Sequence, residues 1–124
     1  MPQTEVVFFR DEAGRILFYD WMRGLPRNVQ DKLYIKVERL AECGFDLRRP
    51  EADYLRNGIH ELRCRHGRVN YRILYFYRGK VAVISHGCTK EGEVPDREID
   101  HAIANRILLD SNPEKHSSAR KKQW

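Results

Sequence analysis

The chain has 124 residues, of which 41% are hydrophobic and 33% are charged, and its formal net charge is +5. This length and composition suit a single globular domain with a modest core. No apolar run approaches the roughly 20 residues that span a bilayer, and the first 15 residues contain acids and no apolar signal core. We therefore expect neither a membrane protein nor a secreted one.

The first half of the chain predicts one strand followed by two helices. Residues 5–10, EVVFFR, are β-branched and aromatic and predict a short strand. Helical spacing begins at Arg15 and is interrupted by the Gly24–Pro26 break. In the second helix, apolar residues recur every three or four positions, and Gly44 is suited to end it. The two helices should form a helical hairpin.

Residues 59–90 predict three short strands, after a connector that extends from residue 45 to residue 58. The strand sequences are IHELRCRH, RVNYRILYFY and KVAVISHGCTK. The pairs His66-Gly67 and Arg78-Gly79 fall where tight hairpin turns are expected, and each supplies a glycine for positive φ. Consecutive hairpins make an antiparallel sheet.

The C-terminal region predicts one more helix and then a tail. Residues 96–110 place isoleucines four positions apart and carry acids in the first turn. Residues 111–124 lack periodicity and predict a flexible basic tail. The sequence therefore predicts an α+β domain of residues 1–110 in the order β-α-α-β-β-β-α. Its small, mostly antiparallel sheet would carry the helical hairpin on one face and leave the other face partly open.

Positive charge is concentrated in the three predicted strands. Residues 59–90 hold seven bases and a single acid, Glu61. The bases are Arg63, Arg65, Arg68, Arg72, Arg78, Lys80 and Lys90. Because this segment has a net charge of +6 against +5 for the whole chain, it predicts a surface that binds phosphate.

Strand alternation places Glu61, Arg63 and Arg65 on one face and Leu62 and Cys64 on the other. The two arginines either bind phosphate through their planar guanidinium groups or simply form a solvated strand face. Arg72 lies among apolar residues on its own strand and needs a partner or an opening to solvent. Glu61 is the candidate partner, and such an ion pair is compatible with a role in binding.

Two further sets of side chains have alternative interpretations. Tyr71, Tyr75 and Tyr77 share a strand face, where they either pack in the core or stack with RNA bases. His86, near the end of the last strand, either transfers protons at neutral pH or is a hydrogen-bonded structural residue. The remaining histidines show no partner spacing, and we treat them as ordinary; they are His60, His66, His101 and His116.

Several familiar sites have no counterpart in the sequence. The three cysteines (Cys43, Cys64 and Cys88) are widely spaced without a CxxC pair, which argues for a reducing compartment and against a structural zinc site. There is no Gly-rich phosphate loop, HExxH, GxSxG or zinc knuckle. We therefore expect a cytoplasmic protein, and the missing motifs exclude only the metal and cofactor sites that they mark.

The segments ELRCRHGRVNYRILYFY and VAVISHGCTKEGEVPDREIDHAI resemble the RelE/HigB-type toxins of bacterial toxin–antitoxin systems. The similarity is greatest to the phage-derived, HigB-like branch, which shows an ELR segment, a YR pair, an HG-x-x-K segment and a P-x-x-E-I helix start. It extends from Val6 to Leu109 in element order and from Ile59 to Ala104 in detail. The resemblance implies a single RelE-like domain.

The resemblance also implies a metal-independent endoribonuclease that cleaves mRNA, usually on the ribosome, by attack of the RNA 2′-hydroxyl. Arg72 would stabilise the scissile phosphate, Lys90 would do the same or protonate the leaving oxygen, and His86 would transfer protons. The RNA-binding residues would be Arg63, Arg65, Arg68 and Tyr71, with Glu61 as a supporting ion pair. Relatives often add a C-terminal tyrosine, which this chain lacks, so the general base has no assignment.

The expected partners are mRNA, the ribosome and a cognate antitoxin, which in this branch is often a helix-turn-helix DNA-binding protein. No membrane partner is expected. The alternative is a non-catalytic basic module of the same fold that binds nucleic acid or protein.

Overall fold

The computed structural model describes residues 3–89 and 92–120, which form a six-stranded sheet with helices on both faces. The strands are β1 (Val6–Phe9), β2 (Ala52–Arg56), β3 (Ile59–His66), β4 (Val69–Arg78), β5 (Val81–Thr89) and β6 (Ser117–Ala119). The helices are α1 (Leu17–Arg23), α2 (Arg27–Cys43), α3 (Asp96–Ser111) and α4 (Pro113–His116), with a 3-10 turn at Gly44–Asp46. The α+β class and all seven predicted elements are confirmed.

The strand order across the sheet is β2-β3-β4-β5-β1-β6. Strand β1 runs parallel to β5, and the other neighbouring pairs are antiparallel. Both predicted hairpin turns are present, with Gly67 at φ 62° and Gly79 at φ 61°, values that glycine adopts at low cost. Gly44 also has positive φ and caps α2, as predicted.

The C-terminal segment differs from the predicted flexible tail. It forms α4 and then β6, which pairs antiparallel with β1 through Phe9 and Ser117. His116 is 2% exposed, and its Nδ1 donates a hydrogen bond to the Arg10 carbonyl oxygen at 2.8 Å. A four-residue helix and a three-residue strand are too short to produce a periodic pattern. Strand pairing and burial order the segment as far as Ala119, and residues 121–124 lie outside the described part of the chain.

Each sheet face has its own apolar core. Helices α1 and α2 cover one face, where Phe8, Leu62 and Ile73 are fully buried. Helix α3 covers part of the other face, where Leu74 and Phe76 are fully buried. The second face is open beside β2 and β3, where a cleft lies.

A β-bulge in β5 changes which side chains face α3. Leu74 of β4 pairs with His86, whereas the next residue, Tyr75, pairs with Ile84, which leaves Ser85 as the extra residue. An extra residue in one strand shifts its alternation by one position. Ser85 and His86 consequently both contact α3 residues, while Gly87 faces α1.

Candidate nucleic-acid cleft

A cleft of about 550 Å³ lies on the α3 face, between the β2–β3 side of the sheet and the start of α3. It is lined by Asp53, Tyr54, Leu55, Arg56, Glu61, Arg63, Arg72, Gly92, Glu93, Val94, Asp96 and Ile99. The register pairs Arg63 of β3 with Arg72 of β4, so both arginines reach the cleft from adjacent strands. Alternation along β3 places Glu61 on the same face, as the sequence predicts.

Glu61 is at the centre of this arrangement. It is 2% exposed, and its two carboxylate oxygens accept from different arginines. Oε1 accepts from Nη1 of Arg72 at 2.7 Å, and Oε2 accepts from Nη2 of Arg63 at 3.3 Å. The predicted ion pair between Glu61 and Arg72 is therefore confirmed. Because the carboxylate is removed from water, the two guanidinium groups compensate for its lost hydration.

A second carboxylate, Asp53 of β2, binds the same Nη2 of Arg63 that contacts Glu61. Its Oδ2 accepts from Arg63 Nη2 at 3.0 Å, and Arg49 also pairs with it at 3.0 Å. The hydrogen bond from Arg49 lowers the pKa of Asp53, and the charge of Arg63 contributes in the same direction. Within the described part of the chain, the buried Nε of Arg63 has no hydrogen-bond partner. Asp53 is not among the residues predicted from the sequence, because the pattern of residues 45–58 predicts only a connector.

The charge of the cleft differs from the strongly basic surface that the sequence predicts. Its lining has three bases, Arg56, Arg63 and Arg72, against four acids. The acids are Asp53, Glu61, Glu93 and Asp96. Three of the four come from outside residues 59–90, so a count within that segment could not include them. Among the described residues, the cleft is thus close to neutral, with its arginines oriented by carboxylates.

The other predicted RNA-binding residues lie outside this cleft. Arg65 is exposed and donates from Nε to the Gly67 carbonyl oxygen at 3.2 Å, and Arg68 is exposed in the same hairpin turn. Tyr71 is 7% exposed and packs near Trp21 on the α1 face, at 6.3 Å between ring centroids. Its ring belongs to the core and is not available to an RNA base. Lys90 lies outside the described residues.

His86 does not line the cleft either; it is buried beneath α3. Its Nδ1 lies 2.8 Å from Ser85 Oγ, and its Nε2 lies 3.0 Å from Glu98 Oε1. The ring of His101 is 4.4 Å away between centroids. Burial, together with the nearby His101, lowers the pKa of His86, against an opposing effect of Glu98. This geometry matches the structural interpretation of His86 and places it apart from Arg63 and Arg72.

Comparisons with known proteins identify a family. No helix of the described residues is both long and apolar enough to cross a membrane. A comparison with curated proteins gives no match. The sequence model of the family described as "Phage derived protein Gp49-like (DUF891)" matches residues 20–106, and this family is linked to the toxins of toxin–antitoxin systems. Since the match covers well over half of the chain, the protein belongs to the Gp49-like family of phage-derived proteins.

Proposed function

We propose that this protein is the toxin of a RelE/HigB-type toxin–antitoxin system and acts in the cytoplasm as an endoribonuclease. Its substrate is mRNA on the translating ribosome, and cleavage needs no metal. A cognate antitoxin with a helix-turn-helix DNA-binding domain neutralises it. The supporting observation is the cluster of Arg63, Glu61 and Arg72 in the cleft of a chain whose family is linked to such toxins.

The cluster suits a phosphate because, among the described residues, its carboxylate contacts only part of each guanidinium group. An arginine has five N–H groups in a fixed plane, and Arg72 donates to Glu61 from Nη1. The fixed Nη1 contact orients the rest of the guanidinium group. Donors held in place in this way stabilise charge that develops in a transition state without further reorganisation. Arg72 is the residue that we assign to this role, with Arg63 beside it.

In the proposed reaction, the 2′-oxygen of the RNA forms a bond to the adjacent phosphorus, and the bond from phosphorus to the 5′-oxygen breaks. The products are a 2′,3′-cyclic phosphate and a 5′-hydroxyl. Arg72 would stabilise the negative charge on the phosphoryl oxygens, and Lys90 would protonate the departing 5′-oxygen. The proton of the 2′-hydroxyl passes to a base that this chain does not identify, which fits an enzyme whose site is completed by the ribosome.

The other residues have supporting roles in this proposal. Arg65 and Arg68, exposed near the end of the β3–β4 hairpin, would bind the RNA backbone next to the cleft. His86, bound to Glu98, would position α3 and so the cleft wall that this helix forms. It would not transfer a proton itself.

The proposal is tested by adding purified protein to a translation extract and measuring protein synthesis and message length. We expect the wild type to stop synthesis and shorten the message, and Arg72→Lys to retain the fold but lose most of the cleavage. A matched control is Arg78→Ala, which removes an arginine of the same strand that pairs with Asp110 outside the cleft. Intact message with the wild type would contradict the proposal.

One observation favours a second candidate, a non-catalytic module that binds nucleic acid or protein. All three arginines of the cleft already pair with carboxylates, and the lining carries one more acid than base. Such a surface resembles a structural ion-pair network as much as a site for phosphate. Family membership favours the enzyme.

The two candidates differ in how binding and cleavage respond to substitution. Replacing Arg65 and Arg68 by alanine should weaken RNA binding in both cases and reduce its salt dependence, since each lost phosphate contact lowers the slope by about 0.7 for single strands. Only the enzyme predicts that Arg72→Lys abolishes cleavage while the protein still binds RNA. RNA binding by the wild type without any cleavage would support the binding module.

A further inference from the structure

We propose that His86, Glu98 and His101 form a binding site for a zinc ion that fastens α3 to β5. One ligand atom from each of these three side chains lies within 4.8 Å of the other two. Two imidazoles and one carboxylate are a ligand set that zinc takes in proteins, with water in the fourth position. The site is separate from the proposed RNA cleft, since none of the three residues lines that cleft.

The spacing of the ligands supports the assignment. Glu98 and His101 are three residues apart on α3, so they lie on the same side of the helix. His86 comes from the opposing strand, directed toward α3 by the bulge at Ser85. Ligand atoms around a tetrahedral zinc ion are about 3.3 Å apart when each bond is near 2.0 Å. The distance of 3.0 Å between His86 Nε2 and Glu98 Oε1 is already close to that value.

The surroundings of His86 also resemble those of a metal ligand. A metal-bound histidine usually holds its second ring nitrogen in a hydrogen bond, which fixes the ring orientation. Here Nδ1 of His86 lies 2.8 Å from Ser85 Oγ, and that hydroxyl accepts from Nδ2 of Asn105 at 2.9 Å. Nε2 is then the nitrogen directed at the ion. Ser85 and Asn105 are buried, so the orientation of His86 is fixed by the core.

His101 connects the proposed zinc site to solvent. His101 is exposed, whereas His86 is 5% exposed. An ion can therefore enter from solvent, and the ring nitrogen of His101 already lies within 4.8 Å of the other two ligand atoms. Imidazole nitrogens favour zinc and its first-row neighbours over magnesium or calcium. Because Asp96 and Ile99 of the same helix line the RNA cleft, the ion would also hold that wall in place.

The test uses the full chain, free of any histidine tag, treated with a chelator and then titrated with Co²⁺ as a spectroscopic substitute for zinc. We expect one equivalent to give the visible absorption of a tetrahedral cobalt site, and Zn²⁺ but not Mg²⁺ to displace it. His101→Ala and Glu98→Gln should each weaken binding at least tenfold. His66→Ala, which removes a histidine at the α2 side of the sheet, should bind as the wild type does.

Thermal unfolding gives a second readout that does not depend on activity. At a free zinc concentration 100 times the dissociation constant, the ratio of folded to unfolded protein should rise about a hundredfold, and His101→Ala should abolish this rise. His101 is exposed, so this variant should fold even if Glu98→Gln does not. The absence of a tetrahedral cobalt spectrum in the wild type, or equal binding by His101→Ala, would overturn the proposal.

Discussion

The ion pair between Glu61 and Arg72 allows a quantitative prediction about stability. Replacing Arg72 by methionine removes the guanidinium but keeps much of the side-chain volume, and it leaves the Glu61 carboxylate buried at 2% exposure. Breaking one partner of a buried ion pair costs about 3–5 kcal/mol. Arg63 still contacts Glu61 at 3.3 Å, so we expect the lower end, about 3 kcal/mol in the free energy of unfolding.

Glu61→Gln should also destabilise the protein, by about 2–3 kcal/mol, because the side chain of Arg72 is only 13% exposed and loses its carboxylate. The double variant removes the pair as a whole and should lose only about 3 kcal/mol, which corresponds to a coupling energy of about 2–3 kcal/mol. Urea unfolding followed by tryptophan fluorescence measures all three values. Arg78→Met, which breaks an exposed pair, should cost under about 1 kcal/mol. Additive effects of the two cleft substitutions would refute the assigned contact.

Two further predictions concern other parts of the fold. A Cβ on Gly87 would overlap the Trp21 ring, so Gly87→Ala should lower the free energy of unfolding by about 1–3 kcal/mol. Gly92→Ala should change it little, because no atom of the described residues beyond its chain neighbours lies within 4 Å of the added Cβ. Equal effects would refute close packing of α1 on β5. The hydrogen bond from Arg39 lowers the pKa of Glu51 below its ordinary value of 4.5. The ionised carboxylate therefore stabilises the protein above that pH, and this contribution is lost as the pH falls through the lowered pKa. In urea titrations, the wild type should have a higher free energy of unfolding than Glu51→Gln at pH 7, and this difference should disappear in acid. A constant difference in the free energy of unfolding from pH 7 to pH 3 would contradict the assignment.

Local sequence patterns predict correctly which side chains of a single strand are buried. The alternation in IHELRCRH correctly places Glu61 and Arg63 on one face of β3 and Leu62 in the core. The shared face of the tyrosines is also confirmed, and two of them, Tyr71 and Tyr75, are buried. The spacing of apolar residues follows the buried face of a strand or helix, so such faces can be identified from the sequence alone.

The features that the sequence did not reveal depend on contacts between distant segments. Asp53 approaches Arg63 only because β2 pairs with β3, and β2 has too little apolar alternation to predict a strand. The bulge at Ser85 moves His86 to the α3 face. Regular strand alternation would place Ser85 and His86 on opposite faces, so it does not predict this position. The sequence analysis finds no partner for His101, because its neighbour His86 comes from β5, a distant segment of the chain. Strand β6 is specified by pairing with β1.

The proposed chemistry is tested most directly by identifying the ends of the message fragments that form in a translation extract. With the wild type and with Arg78→Ala, we predict fragments that end in a 2′,3′-cyclic phosphate and begin with a 5′-hydroxyl. With Arg72→Lys, folded to the same extent, these fragments should be absent or nearly so. Fragments of the same kind and amount from Arg72→Lys, or none from the wild type, would contradict the assignment of RNA cleavage to this cleft.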